Sequence, residues 1–378
     1  MSGALDGVVI ADFSRVLAGP YATMLLADLG AEVVKVERPL TGDDTRAWGP
    51  PWRGEQATYF ASVNRNKHSV VVDLATDAGR QQARDLASRA DVLVENFKPG
   101  AFERLGLGFD ELAALNPGLV YCSITGFGIE GGAELAGYDL LVQAVGGLMS
   151  ITGSSAEEPT KVGVALVDVI TGLHATVGIL AALHERTSSG QGQRVEVNLL
   201  SSLLSGMVNQ SSGFVGAGFV PTVMGNRHPS IAPYESYPTA DAPLVIAVGN
   251  DRQFRACATV LGCPEWADDP RFASNPSRVQ HRQELYDVMC GRLASAGAEE
   301  WFERLSDKGV PAGPINDLAG AFALAERLGL APVAEVEGEP TVANPIRLGR
   351  TPVSYRSVPP DLGGTAYDEL APRGHERP

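Results

Sequence analysis

One acid stands out because nothing near it in the chain accounts for it. Asp168 lies in the run Val164-Ala165-Leu166-Val167-Asp168-Val169-Ile170. An isolated ionised carboxylate in such surroundings costs several kcal/mol unless something satisfies it. Two readings meet that demand. At the start of a helix, free backbone N–H groups and the helix dipole favour a negative charge, so Asp168 could be a cap. A carboxylate held ionised at the end of an element and shielded from water is also what a carboxylate nucleophile requires. Pattern alone leaves both open.

A second group is basic. Arg15, Arg38, Lys98 and Arg104 fall in or just beyond loops that follow apolar runs. Arginine forks suit phosphate, so these residues could converge on a phosphate-rich ligand or could be solvated surface charges. Other chemistries lack their signatures. The six histidines show no metal-ligand spacing, and no serine sits in a G-x-S-x-G elbow. Cys122 reads as core. The loop SRVLAGP has no G-x-G-x-x-G and is bulky where a dinucleotide pyrophosphate wants glycine, although Glu37 sits where a ribose-binding acid would.

These residues need elements to hold them. Apolar runs at Val8–Ala11, Val33–Val36, Ser69–Val72, Val92–Val94 and Val120–Ile124 alternate with helical patterns, and Val195–Val197 adds a further candidate strand. Near-continuous apolar strands alternating with helices predict an α/β fold with a parallel sheet covered on both faces. In such sheets ligands bind beyond the carboxyl ends of the strands. Pro20 is placed to start a helix. A short strand followed by a buried helix from about Asp168 to Arg186 is expected. The stretch 206–233 is broken by glycine and proline and reads as a linker. A smaller α+β unit follows over 234–314, with strands near Tyr234–Tyr237 and Leu244–Val248 and helices near Asp251–Leu261, Arg282–Leu293 and Ala298–Lys308. The large domain spans 1–205, and 361–378 reads as a mobile tail.

Composition narrows the class. The 378 residues are 44% hydrophobic and 20% charged, as expected of a globular chain with a real core. A net charge of -15 argues against general nucleic-acid affinity. The four cysteines form no CxxC pair and no disulfide framework, and the N-terminus shows no export signal, so a cytoplasmic location is expected. The segment Val162–Leu183 has the length of a membrane span. It lacks basic flanks and carries Asp168, so no membrane association is expected.

Several motifs, in order, resemble the family III CoA-transferases, which include formyl-CoA transferase, the carnitine CoA-transferases and the bile-acid-inducible F proteins. They are VIADFSRVLAGPYATMLLADLGAEVVKVERP, NRNKHSVVVDL, ADVLVENFKPGAFERLGLGFDEL, NPGLVYCSITGFG, GYDLLVQAVGGLMSITG, KVGVALVDVITGLHATVGILAAL, GQGQRVEVNLL, VGNDRQF and GVPAGPIND. The resemblance implies that Asp168 is the nucleophile. It places coenzyme A against Leu17, Ala18, Arg38, Val72, Asp73, Leu74, Ala75, Asn96, Phe97, Lys98 and Arg104, with Tyr138 and Asp139 in a possible substrate pocket. Coenzyme A would be a substrate, not a resident cofactor, and no metal is implied. The mechanism implied runs through an aspartyl anhydride and an aspartyl-CoA thioester, with succinyl-CoA the favoured donor. The family fold is a Rossmann-like large domain, completed here by about 315–360, in a threaded homodimer. Two further readings come with it. The 2-methylacyl-CoA racemases share this fold but use a histidine in a GHD motif, where this chain has Gly137-Tyr138-Asp139. A non-catalytic CoA-binding subunit would be expected to lack Asp168. Where one such transferase has a glycine-rich flap, residues 225–243 hold no glycine run, so no acceptor-side loop is assigned.

Overall fold

The computed structural model describes residues 3–370. The chain divides into two compact units, one of residues 1–148, 161–220 and 331–378, the other of 149–160 and 221–330.

The larger unit is built on six parallel strands: β1 (Val9–Asp12), β2 (Glu32–Glu37), β3 (Lys67–Val71), β4 (Val92–Glu95), β5 (Val120–Thr125) and β6 (Arg194–Asn198). Their order across the sheet is β3-β2-β1-β4-β5-β6, every neighbouring pair parallel. This is a doubly wound α/β sheet. The order reverses between β1 and β4, which opens a crevice at their carboxyl ends. These six expected strands form within a residue or two, because apolar, β-branched runs in a covered parallel sheet leave little freedom of placement.

Apolar side chains cover both faces. On one, Ile10, Leu26, Val33, Val92, Val120, Val167 and Ile179 form a buried cluster. On the other, Val34, Val36, Leu86, Leu93, Phe102 and Tyr121 do so. The first cluster is roofed by α1 (Ala18–Asp28) and by the 24-residue helix α5 (Leu166–Ser189), the second by α2 (Asp77–Arg89) and α3 (Phe109–Leu115). Helix α4 (Asp139–Val145) lies between β5 and α5 in the chain. By length and composition α5 could cross a membrane. Here it packs on α1, β5, β6 and α6 (Leu199–Gly206).

Several local expectations change. Residues 162–165 are irregular, not a strand. The Val162 amide donates to Gln143 Oε1 at 2.9 Å, so a side chain from α4 replaces the ladder. The presumed linker contains α7 (Val208–Ala217), which runs without proline until Gly218 caps it in the left-handed conformation. The units divide after Val220 and Leu330, not near 205 and 315. Of the expected tail, residues 363–370 are tied down. Gly363 N donates to Ser69 Oγ, Tyr367 Oη donates to the Gln82 carbonyl, and Leu370 packs on the second cluster. The rest of that tail, 371–378, lies outside the described residues.

The smaller unit pairs β7 (Tyr234–Tyr237), β8 (Leu244–Ala247) and β9 (Ala312–Pro314) antiparallel. Helices α8 (Asp251–Val260), α9 (Arg282–Leu293) and α10 (Ala298–Ser306) pack on it around Phe254, Met289 and Trp301.

Candidate active site

The crevice at the reversal point is walled by two loops that bond to each other. Past β1 runs the loop Phe13–Leu17; past β4 comes the turn Asn96-Phe97-Lys98. The Arg15 amide donates to Asn96 Oδ1 at 2.9 Å, and Asn96 Nδ2 donates back to the Arg15 carbonyl at 2.8 Å. The first loop is strained. Val16 has φ 72, a region a β-branched residue seldom enters. Its amide donates to both oxygens of Asp43, at 3.3 and 3.2 Å. Buried charges hold this arrangement. Lys35 Nζ donates to Asp43 Oδ2 at 2.8 Å and to the Ser14 carbonyl at 3.1 Å. Asp12 accepts from Ser14, Thr23 and Lys67. Burial raises the Asp12 pKa, but Lys67, Lys35 and the two hydroxyls outweigh it and hold the carboxyl below its usual range. Burial pushes Lys67 down to about 8 against the pull of Asp12.

Two glycines allow the close packing that follows. A β-carbon at Gly19 would come within 2.2 Å of Ser14 Oγ, and one at Gly172 within 2.6 Å of the Ala18 carbonyl. With Gly172 in place, α5 lies directly on the start of α1. That brings Asp168 to the same wall as Leu17 and Ala18.

The result is a cavity of about 360 Å³ whose lining includes Arg15, Leu17, Ala18, Asp44, Asn96, Phe97, Lys98, Tyr138, Asp139 and Asp168. A second cavity of about 220 Å³ is lined by Phe13, Arg15, Arg38, Val72, Asp73, Leu74, Ala75 and Phe97, among others. Arg15 and Phe97 belong to both, and the Arg15 guanidinium sits 5.3 Å from the Phe97 ring centre. Asp44 binds both arginines nearby, Arg15 at 3.4 Å and Arg38 at 2.5 Å. Every candidate residue taken from the sequence therefore lines one cavity or the other except Arg104. That side chain is exposed at the end of the helical turn Ala101–Arg104 and lines neither.

Asp168 is not the helix cap. Helix α5 begins two residues earlier, at Leu166, and its N-cap residue Ala165 supplies no side-chain acceptor. The carboxylate that caps it is Asp139, from α4. Its Oδ2 accepts from the Val167 amide at 2.8 Å and from the Asp168 amide at 3.3 Å. Asp139 Oδ1 accepts from Gln143 Nε2 at 2.5 Å. The Asp168 carboxylate is left without a hydrogen-bond partner among the described residues. Burial, and then the like charge of Asp139, push its pKa up to about 7.

Sequence reasoning missed Asp44 and Tyr59. Burial, Asp168 and Asp139 push the Tyr59 hydroxyl up to about 12, which sets the phenol near the acid pair. Its ring meets Trp48 edge-on with centres 5.4 Å apart. Asp44, Trp48 and Tyr59 all come from the connection between β2 and β3. Its only outward signal is that an aromatic, proline-rich stretch stands where a crossover helix would be usual.

Residues 5–366 match CoA-transferase family III. The succinate–glutarate CoA-transferase of Agrobacterium fabrum is 42% identical over 97% of this chain and 95% of its own. The human succinyl-CoA:glutarate CoA-transferase is 40% identical, covering 95% of this chain and 83% of its own. The acetyl-CoA:oxalate CoA-transferase of Acetobacter aceti is 38% identical over 92% and 89%. Among solved structures, a CAIB/BAIF family protein from Brucella suis superposes with a TM-score of 0.86 at 41% identity, over 96% of this chain and 97% of that one. Rv3272 from Mycobacterium tuberculosis superposes at 0.87 and 32% identity, over 96% and 98%. With the ordered motifs and the doubly wound sheet, these matches settle that the chain belongs to CoA-transferase family III.

Proposed function

We propose that this chain moves coenzyme A between two dicarboxylic acids, with Asp168 as the nucleophile and succinyl-CoA as a donor. The observation that carries this reading is the state of Asp168. It is a carboxylate without a hydrogen-bond partner among the described residues, at the end of a groove made of two cavities that share Arg15 and Phe97. A carboxylate hydrogen-bonded into a helix start would be a poor nucleophile; an underbonded one is basic and free to attack.

The chemistry balances without ATP. An Asp168 oxygen attacks the donor carbonyl, the C–S bond breaks, and a mixed anhydride forms with release of CoA thiolate. The thiolate attacks the Asp168 γ-carbon, the anhydride C–O bond breaks, and the donor acid departs. The acceptor carboxylate then displaces the thiolate from the aspartyl thioester. Finally the thiolate attacks the acceptor carbonyl, which regenerates Asp168. The amides at the uncapped start of α1, beside Leu17 and Ala18, are suited to the oxyanions of these steps. The nucleotide end of coenzyme A fits the second cavity, where Arg38 meets the 72–75 turn. Arg15 and Lys98 are the cations that line the Asp168 cavity, which suits an acyl group with a second carboxylate.

The assignment is tested by mixing the protein with succinyl-CoA, quenching with hydroxylamine and mapping the product by mass spectrometry. A hydroxamate at Asp168 is expected, with glutarate and other dicarboxylic acids tried as acceptors. Asp168→Ala should bind CoA as the wild type does and lose transfer by about a thousandfold or more, in line with removing a covalent nucleophile. An Asp168→Ala protein that still transfers would sink the reading.

A homodimer belongs to the same proposal. Leu173, Val177, Leu204, Val208, Phe214 and Val215 on α5, α6 and α7 are exposed apolar side chains, the kind of surface a second copy would cover. Sedimentation of the active protein should find a dimer that persists on dilution.

A further inference from the structure

The oddest feature of the site is that two carboxylates converge on one helix start and the wrong one is bonded to it. We propose that Asp139 is a positioning residue: it occupies the end amides of α5 so that Asp168 cannot, which keeps the nucleophile's oxygens free of those bonds and ready to attack. The proposal rests on the reading of Asp168 as nucleophile.

The geometry is specific. Asp139 Oδ2 takes the Val167 and Asp168 amides at 2.8 and 3.3 Å, and Asp139 Oδ1 takes Gln143 Nε2 at 2.5 Å. Gln143, fully buried, uses its own oxygen to hold the Val162 amide at 2.9 Å. Asp139 and Gln143 thus lie one turn apart on α4 and pin both the approach to α5 and its first turn. Take Asp139 away and the two amides lose their acceptor on the same first turn that carries the Asp168 carboxylate. Asp168 would then become an ordinary first-turn acid, stabilised by the helix end and less basic. Helix-end bonding of the charged form lowers a carboxyl pKa, and a like charge close by raises it. Asp139 acts in both ways at once, by taking the bonds and by supplying the charge that, after burial, raises Asp168. The other groups that share the cavity with Asp168 are Arg15, Asp44, Lys98 and Tyr138, with Tyr59 close by. Asp139 alone among them touches the Asp168 backbone.

Asp139→Asn separates charge from shape. The amide oxygen it introduces can still accept from α5, but the negative charge is gone. We expect the acidic limb of the kcat/KM–pH profile to fall by about one unit and kcat on the alkaline plateau to drop about tenfold. The introduced amide would also present an NH2 group to the Gln143 side chain. The double variant Asp139→Asn with Gln143→Glu therefore serves as a control in case the single variant folds poorly. In it the new carboxylate at position 143 accepts from the new amide at position 139 and from the Val162 amide, and the charge lies one side chain further from Asp168. Its limb should also lie below that of the wild type. A limb within about 0.2 units of wild type in both variants overturns the proposal.

A second readout does not use transfer. The melting-temperature difference between wild type and Asp168→Asn at pH 8.5 should shrink, by less than half, when measured in the Asp139→Asn background, because the two acids no longer repel while burial is unchanged. An unchanged difference refutes the pairing. A chain that shows the shrinkage but transfers no CoA to any dicarboxylic acid upholds the pairing and refutes only the transferase reading.

Discussion

Replacing Asp168 by asparagine should make the protein more stable above neutral pH and leave its stability nearly unchanged in acid. The folded chain holds this carboxyl with a pKa of about 7, raised first by burial and then by Asp139. In the unfolded chain it titrates near 3.9. The folded state therefore binds the proton more tightly across that interval. Below about pH 4 both states are protonated and Asp168 costs nothing. As pH rises from there through 7, stability is lost, and above 7 the loss is complete. Three units amount to about 4 kcal/mol, and residual contact with solvent at the cavity brings the expected loss to about 2–4 kcal/mol. A chain of 378 residues has an unfolding entropy of roughly 0.8 kcal/mol/K, so Asp168→Asn should melt about 3–5 °C above wild type at pH 8.5. At pH 5 the gap should be under half of that. Calorimetry of the two proteins across this range is the assay. A gap that does not change with pH, or a variant less stable than wild type at pH 8.5, would refute the account of Asp168 as a poorly solvated charge.

Three further perturbations follow from the geometry. Gly172→Ala forces a β-carbon against the Ala18 carbonyl, at about 1–3 kcal/mol, while helix propensity returns about 1 kcal/mol. A small fall in melting temperature with at least a tenfold fall in kcat is expected, and a fully active variant would show that the α1–α5 contact does not position Asp168. Asp43→Ala leaves Lys35 buried without its partner and releases the Val16 amide, so urea unfolding should register a loss of about 3–5 kcal/mol. Arg38→Ala should raise the KM for succinyl-CoA about tenfold with kcat within twofold. Equal loss in both constants would move Arg38 away from nucleotide binding.

What could be read from the chain, and what could not, divides by the range of the forces involved. Runs such as Val92–Val94 and Val120–Ile124 are legible because each strand carries its own evidence: continuous apolar character bounded by turns. The α9 helix and the β7 strand have the bounds expected from their own residues for the same reason. Helix α7 was hidden because glycines at 213 and 216 mimic a linker, although neither stops a helix that has no proline. Lys35 reads as a charge in a strand, and only the fold reveals that Asp43, Asp12 and Glu37 surround it and raise its pKa against the cost of burial. The site shows the same division. Asp168 was conspicuous because its immediate neighbours cannot satisfy a charge. The reason it stays unsatisfied lies in Asp139, 29 residues earlier, and on another helix. Local reasoning gives a lone acid at a helix start to the helix, since nothing nearby competes for those amides. A competitor brought in by the fold reverses that result, so the first-turn position that would bond a carboxylate here leaves it without a hydrogen-bond partner among the described residues. Asp12, Asp43 and Asp139 each spend their oxygens holding backbone in place; among the described residues Asp168 spends none. Among these four acids of one crevice, the proposed nucleophile is the one the scaffold does not use.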